Sequence, residues 1–151
     1  MGIGNVIPLY EEKKMAVVKE LLRSEITGEV SFGNYELTEK SKLDNFEHKG
    51  DIYKVKTFKE ITKLEKNGLF VYESVPGTAV TGFNYKPECV CFLVEGFEDA
   101  QITLDLEEEQ EYKVMINSEE VGTMKTNVSG KLNLSVELEE GIQAAVKIEK
   151  I

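Results

Sequence analysis

Over residues 131–138 apolar side chains return at every second position. Leu132, Leu134, Val136 and Leu138 alternate with Lys131, Asn133, Ser135 and Glu137. A period of two is that of a strand with one face on a core and the other in water, and it constrains this chain more than any other feature. The same alternation recurs at Ile102, Leu104 and Leu106, at Tyr112, Val114 and Ile116, and at Val146 and Ile148. Val90, Phe92 and Val94 oppose Cys89, Cys91 and Leu93, so residues 89–95 are apolar on both faces and read as a central strand. Seven strands are expected at 78–85, 89–95, 101–106, 112–117, 120–125, 131–138 and 144–149, with turn residues between them. Seven short strands suit a compact sandwich, and an immunoglobulin-like β-sandwich is expected over 76–151, without the Trp and paired cysteines of antibody domains.

The residues before it read differently. Lys13 to Ile26 places Val18, Leu21, Leu22 and Ile26 at helical spacings ahead of Gly28, which predicts one short helix. Val30 and Phe32 then alternate with polar neighbours, and Tyr53, Val55 and Thr57 share a face. Asn67-Gly68 sits between Leu64-Glu65-Lys66 and Leu69-Phe70-Val71-Tyr72 and predicts a two-residue hairpin turn, because both residues tolerate positive φ. Residues 1–75 hold 12 basic and 13 acidic side chains, whereas 76–151 hold 6 and 15. The chain is therefore expected to comprise a leader over 1–14, a helix plus β-hairpin unit over 15–75 and the sandwich over 76–151, joined at Val75-Pro76-Gly77. Met15 directly precedes the helical pattern and is a candidate translation start in place of Met1.

Charge and length narrow the function classes. With 18 basic against 28 acidic residues the net charge is −10, which opposes the phosphate-neutralising surface that nucleic acid needs. No apolar run approaches the ~20 residues of a membrane span. The first ten residues lack a basic region, so no secretory signal is expected, and Val6 stands where a myristoylation motif needs Ser or Thr. Cys89 and Cys91 fall on one face of one strand, where a disulfide between them is geometrically unfavourable, and free half-buried thiols in a cytoplasmic protein are the expectation.

Four runs carry a family likeness: Ser31-Phe32-Gly33-Asn34-Tyr35-Glu36-Leu37, Lys42-Leu43-Asp44-Asn45-Phe46-Glu47-His48, Tyr53-Lys54-Val55-Lys56-Thr57-Phe58-Lys59-Glu60-Ile61-Thr62 and Val71-Tyr72-Glu73-Ser74-Val75-Pro76-Gly77-Thr78. From about Met15 to its end the chain resembles a family of small, functionally uncharacterised bacterial proteins, some of which are labelled endosialidase. The label implies recognition of an acidic sugar by an arginine cluster on a propeller. This chain has one arginine, Arg23, and is too short for several four-stranded blades, so the resemblance supplies no catalytic residue.

No other motif supplies one. His48 is the lone histidine, Ser74 lacks the Gly-x-Ser-x-Gly context, and a zinc set cannot be assembled from two cysteines and one histidine. The acidic run Asp105, Glu107, Glu108, Glu109 and Glu111 lacks the EF-hand order and reads as a solvated loop. No cofactor is expected. Seven of thirteen aromatics, Phe32, Tyr35, Phe46, Tyr53, Phe58, Phe70 and Tyr72, crowd into residues 28–75, more than a small sheet can obviously bury. They are the expected interaction surface. A non-catalytic intracellular protein follows as the leading expectation, a homo-oligomer or the partner of another protein, acting through edge strands and this aromatic half. A carbohydrate-binding module is the alternative, with Tyr35, Tyr53 and Tyr85 as its first candidates.

Overall fold

A computed structural model describes residues 17–151. The leader, the proposed start at Met15 and the first residues of the expected helix lie outside these. Among the described residues thirteen strands form two antiparallel sheets. In chain order they are β1 (Leu22–Ser24), β2 (Val30–Phe32), β3 (Ser41–His48), β4 (Asp51–Phe58), β5 (Ile61–Lys66), β6 (Leu69–Val75), β7 (Ala79–Tyr85), β8 (Cys89–Glu95), β9 (Ala100–Asp105), β10 (Glu111–Ile116), β11 (Glu119–Lys125), β12 (Lys131–Val136) and β13 (Ala144–Lys150). One sheet runs β1-β2-β7-β8-β13-β10-β11 and the other β12-β9-β6-β5-β4-β3.

Each of the seven strands expected over 76–151 is present, and β8 lies in the middle of its sheet. Five of them join one sheet and two the other. Strands from 22–75 complete both, with β2 on β7 and β6 on β9, and one continuous core takes Phe32, Val55, Leu64 and Tyr72 together with Val90, Phe92, Ile102 and Val146. The two stretches thus share both sheets and one core. Val75-Pro76-Gly77 is where the chain leaves the six-stranded sheet for the seven-stranded one. Gly77 is required there, since a Cβ would stand 1.9 Å from the Phe58 carbonyl oxygen.

The helix is not formed in the described part of its span. Leu21 has φ 74°, outside helical space, and Leu22–Ser24 pairs with Val30–Phe32 as a hairpin. A helical stripe would bury Ile26, but Ile26 is fully exposed at the hairpin tip while Val18 and Leu22 are buried. The apolar spacing suited both periods, and the ladder to β2 together with burial of Leu22 decides between them.

The hairpin is braced by Glu25, whose carboxylate accepts from the Ser31 hydroxyl and from Arg23, at 3.1 Å to Nε. The Ser31 bond, opposed by partial burial and aided by Arg23, holds the Glu25 carboxyl below the ordinary glutamate value. A depressed value in the folded state means stability that is present above the unfolded-state pKa and is lost as pH falls through the folded one. Glu25→Gln should therefore cost under about 1 kcal/mol near neutrality, and its urea midpoint should converge with wild type in acid.

Where the sheets meet at the crossing, hydroxyls form a closed chain. Thr62 Oγ1 donates to the Thr78 carbonyl at 2.8 Å and accepts from Thr78 N at 3.0 Å. Its one proton being used, it accepts from Thr57 at 2.8 Å, and Thr57 accepts from Asn34 N at 2.9 Å. Thr57, Thr62, Ser74 and Thr78 are fully buried. Thr62→Val keeps the shape but strands the Thr78 amide, and should lower stability by about 1–3 kcal/mol in urea denaturation.

Candidate interaction surfaces

Four of the seven aromatic side chains expected at a surface are in the core instead. Phe32 and Tyr72 are fully buried, Tyr35 and Tyr53 nearly so, and Phe46, Phe58 and Phe70 are half-buried. The covering comes from strands beyond residue 76. Phe32 meets Phe83 edge-on at 5.4 Å, and Tyr72 meets Phe92 at 5.8 Å. Of the tyrosines considered for sugar binding, Tyr85 is half-buried, donates its hydroxyl to the Asp105 carbonyl and is pushed up to about 12 by burial and then by Asp105.

His48 is tied rather than poised. Its Nε2 lies 2.8 Å from the Gly28 carbonyl oxygen, which can only accept, so Nε2 carries the proton. In the neutral ring Nδ1 then accepts from the Ser24 hydroxyl at 2.7 Å, and the imidazole clasps β1 to β3. Ser74 is buried in the hydroxyl chain, 2.7 Å from Thr78 Oγ1. Cys89 and Cys91 are free and half-buried, with burial raising the Cys89 thiol above its ordinary value. Among the described residues no group of three or more His, Cys, Asp or Glu is arranged to hold a metal, and no helix is long and apolar enough to cross a membrane.

Three surface features stand out. The first is a groove of about 600 Å³ beside the crossing, lined by Tyr35, Val75, Pro76 and Phe97 with Glu36, Lys59, Glu60 and Glu98 around it. Phe97, half exposed, is the one exposed aromatic among the described residues, and it stands edge-on to Tyr35 at 4.8 Å. Beneath it the Tyr35 hydroxyl donates to the buried Glu95 carboxylate at 2.8 Å. Burial and then Glu95 push the Tyr35 phenol well above its ordinary value. Sequence reading missed Glu95, which the strand alternation places outward; the loop carrying Tyr35 folds over it. The second feature is a trough of about 490 Å³ on the outer face of the seven-stranded sheet, floored by Cys91, Leu93, Met115 and Ala145.

The third is an edge. Among the described residues four strands end the sheets, and three are guarded against pairing with another chain. β1 has three residues, β3 is bulged between Leu43 and Phe46 and carries Lys42, Asp44 and Glu47, and β11 is bulged opposite Val114 and Met115 and carries Glu119, Glu120 and Lys125. β12 is neither short nor bulged, and its one charged residue, Lys131, stands at its first position. Its register on β9 is unbroken from Lys131↔Asp105 to Val136↔Ala100, and Leu132 to Val136 includes neither a charge nor a proline. On the outer face Gln101 donates to Ser135 at 2.5 Å, Thr103 to Asn133 at 2.6 Å and Lys131 to Asp105 at 2.7 Å, which fixes β12 in place.

Compared with protein-family models, curated proteins and solved structures, the chain matches none. The residues themselves have to carry the functional reading. Tyr35→Phe removes the donor from buried Glu95 and should cost about 1–3 kcal/mol in urea denaturation.

Proposed function

We propose that this protein is a non-catalytic, intracellular module that works by associating with itself or with another protein. The observation that carries the reading is the open β12 edge, unbulged and uncharged along Leu132–Val136 while the other three edges are blunted. An edge strand of that kind adds a strand from a second chain through main-chain hydrogen bonds, with side chains setting specificity. Two free thiols at Cys89 and Cys91 suit a reducing compartment and support the cytoplasmic placement. The immunoglobulin-like reading of β7 to β13 belongs to the same proposal. Its support is that these strands divide between two packed sheets and cross at β8–β9, β9–β10, β11–β12 and β12–β13.

Carbohydrate binding is the second reading, favoured by the Phe97 groove, where an exposed ring stands among carboxylates able to accept from sugar hydroxyls. A glycan array with wild type and Phe97→Ala separates the two readings: sugar binding lost in the variant would favour it, and a blank array would remove it.

Sedimentation equilibrium over a broad concentration range tests the leading reading. A mass rising with concentration, or a specific protein held after cross-linking in native lysate and then identified, is the expected result. A strictly monomeric chain with nothing cross-linked to it would end the proposal.

A further inference from the structure

Resting on the reading above, we propose that the occupant of the β12 edge is β12 of a second copy, paired antiparallel about a two-fold axis through Leu134. The ladder dictates which groups are free. Leu106 N donates to the Gly130 carbonyl at 2.7 Å, so along this register Leu132, Leu134 and Val136 exchange main-chain bonds with β9. Lys131, Asn133 and Ser135 then turn their N–H and C=O to the open side. Lys131 is already occupied, its N–H by the Asn127 side chain at 3.0 Å and its C=O by Asn127 N at 3.1 Å. Asn133 and Ser135 are left, with two donors and two acceptors, along an otherwise regular strand.

A two-fold axis through Leu134 sets Asn133 of one copy opposite Ser135 of the other, twice, and satisfies all four residues in four hydrogen bonds. Shifted to Asn133, the axis would match Ser135 with the occupied Lys131. β12 ends at Val136, so pairing stops where Asn127 begins.

Charge selects the same direction. Antiparallel strands bring the Lys131 end of one copy to the acidic end of its mate, Glu137, Glu139 and Glu140, whereas parallel strands would bring like ends together. Lys131 would sit between its own Asp105 and the mate's Glu137. The net charge of −10 opposes the pairing at long range, but at physiological salt the field decays over ~8 Å and most of that repulsion is screened. Exposed Val128, in the connection from β11 to β12, and Val121 on the neighbouring edge lie at this end of the sandwich and would lose water on pairing. A contact this small predicts a weak dimer that responds to concentration.

Ser135→Pro tests the edge and keeps the main-chain ladder to β9, since proline is tolerated where the N–H of an edge strand faces outward, although the Gln101 side-chain bond to the Ser135 hydroxyl goes with it. It removes one donor per copy, two of the four bonds. Sedimentation equilibrium should show the association constant falling about tenfold or more relative to Ser135→Ala, which loses the same hydroxyl but keeps the N–H, with the urea midpoints of the two variants close to each other. Glu137→Lys, placing like charges at both ends, should weaken association about threefold to tenfold. Should the proline variant not fold, hydrogen exchange on wild type decides: the Asn133 and Ser135 amides should exchange freely when dilute and slow as concentration rises. A dimer that persists in Ser135→Pro, or in which these amides stay unprotected, overturns the β12 pairing while self-association stands. A wild-type chain that is monomeric at every concentration overturns both, and leaves the edge to an extended segment of another protein.

Discussion

The two sheets are held to one another through Tyr72. Its ring, fully buried on β6 of the six-stranded sheet, meets three rings of the other sheet edge-on or nearly so: Phe32 at 5.1 Å, Phe92 at 5.8 Å and Phe83 at 5.9 Å. Such pairs contribute about 0.5–1.5 kcal/mol each beyond the area they bury. The hydroxyl end of the same side chain bonds Thr78 Oγ1 at 2.8 Å, which joins the ring cluster to the hydroxyl chain at the crossing. One residue therefore couples apolar packing with the path the chain takes between sheets. Burial raises the Tyr72 phenol above its ordinary value, so it stays neutral and keeps its bonds over any ordinary pH.

That coupling explains why Phe32, Tyr35, Tyr53 and Tyr72 of the aromatic half are in the core. A unit of some sixty residues could not have covered these rings alone, and the expectation of leftover apolar area was sound for such a unit. The rings are instead shared with β7 and β8, which supply Phe83 and Phe92. The most exposed ring among the described residues is Phe97, at the same crossing where Gly77 and the Tyr35–Glu95 bond bring the loops together. The groove there is made by loops, whereas the open edge at β12 is made by main chain.

Strands with one wet face were legible in the sequence. Leu132, Leu134 and Val136 are buried and Asn133 and Ser135 exposed, as their alternation predicts, and Asn67 and Gly68 take φ of 52° and 81° in the expected hairpin turn. β1 was not legible, because three residues carry too little pattern to outweigh a chance helical spacing. β3 was equally hidden, since a bulge and the positive φ of Asn45 break its alternation at the point where Leu43 and Phe46 would have shown it. Partnership was harder still. No local pattern shows that β2 lies on β7 or β6 on β9, as pairing between distant strands is decided by how both faces of the sandwich fill.

Sheet order also creates the candidate site, which is why residue types alone could not find it. The sequence of β12 is that of an ordinary half-buried strand, and the same run placed between two neighbours would offer nothing to a second chain. It becomes an offer because β9 takes only one side of it and because Asn127 closes only its first residue. The other edges show what protection looks like in this same fold: shortness at β1, bulges and charge at β3 and β11. Three guarded edges stand beside one that is regular and, from Leu132 to Val136, uncharged, and the proposed pairing would be confined to the free main-chain groups of Asn133 and Ser135, which makes it a short contact.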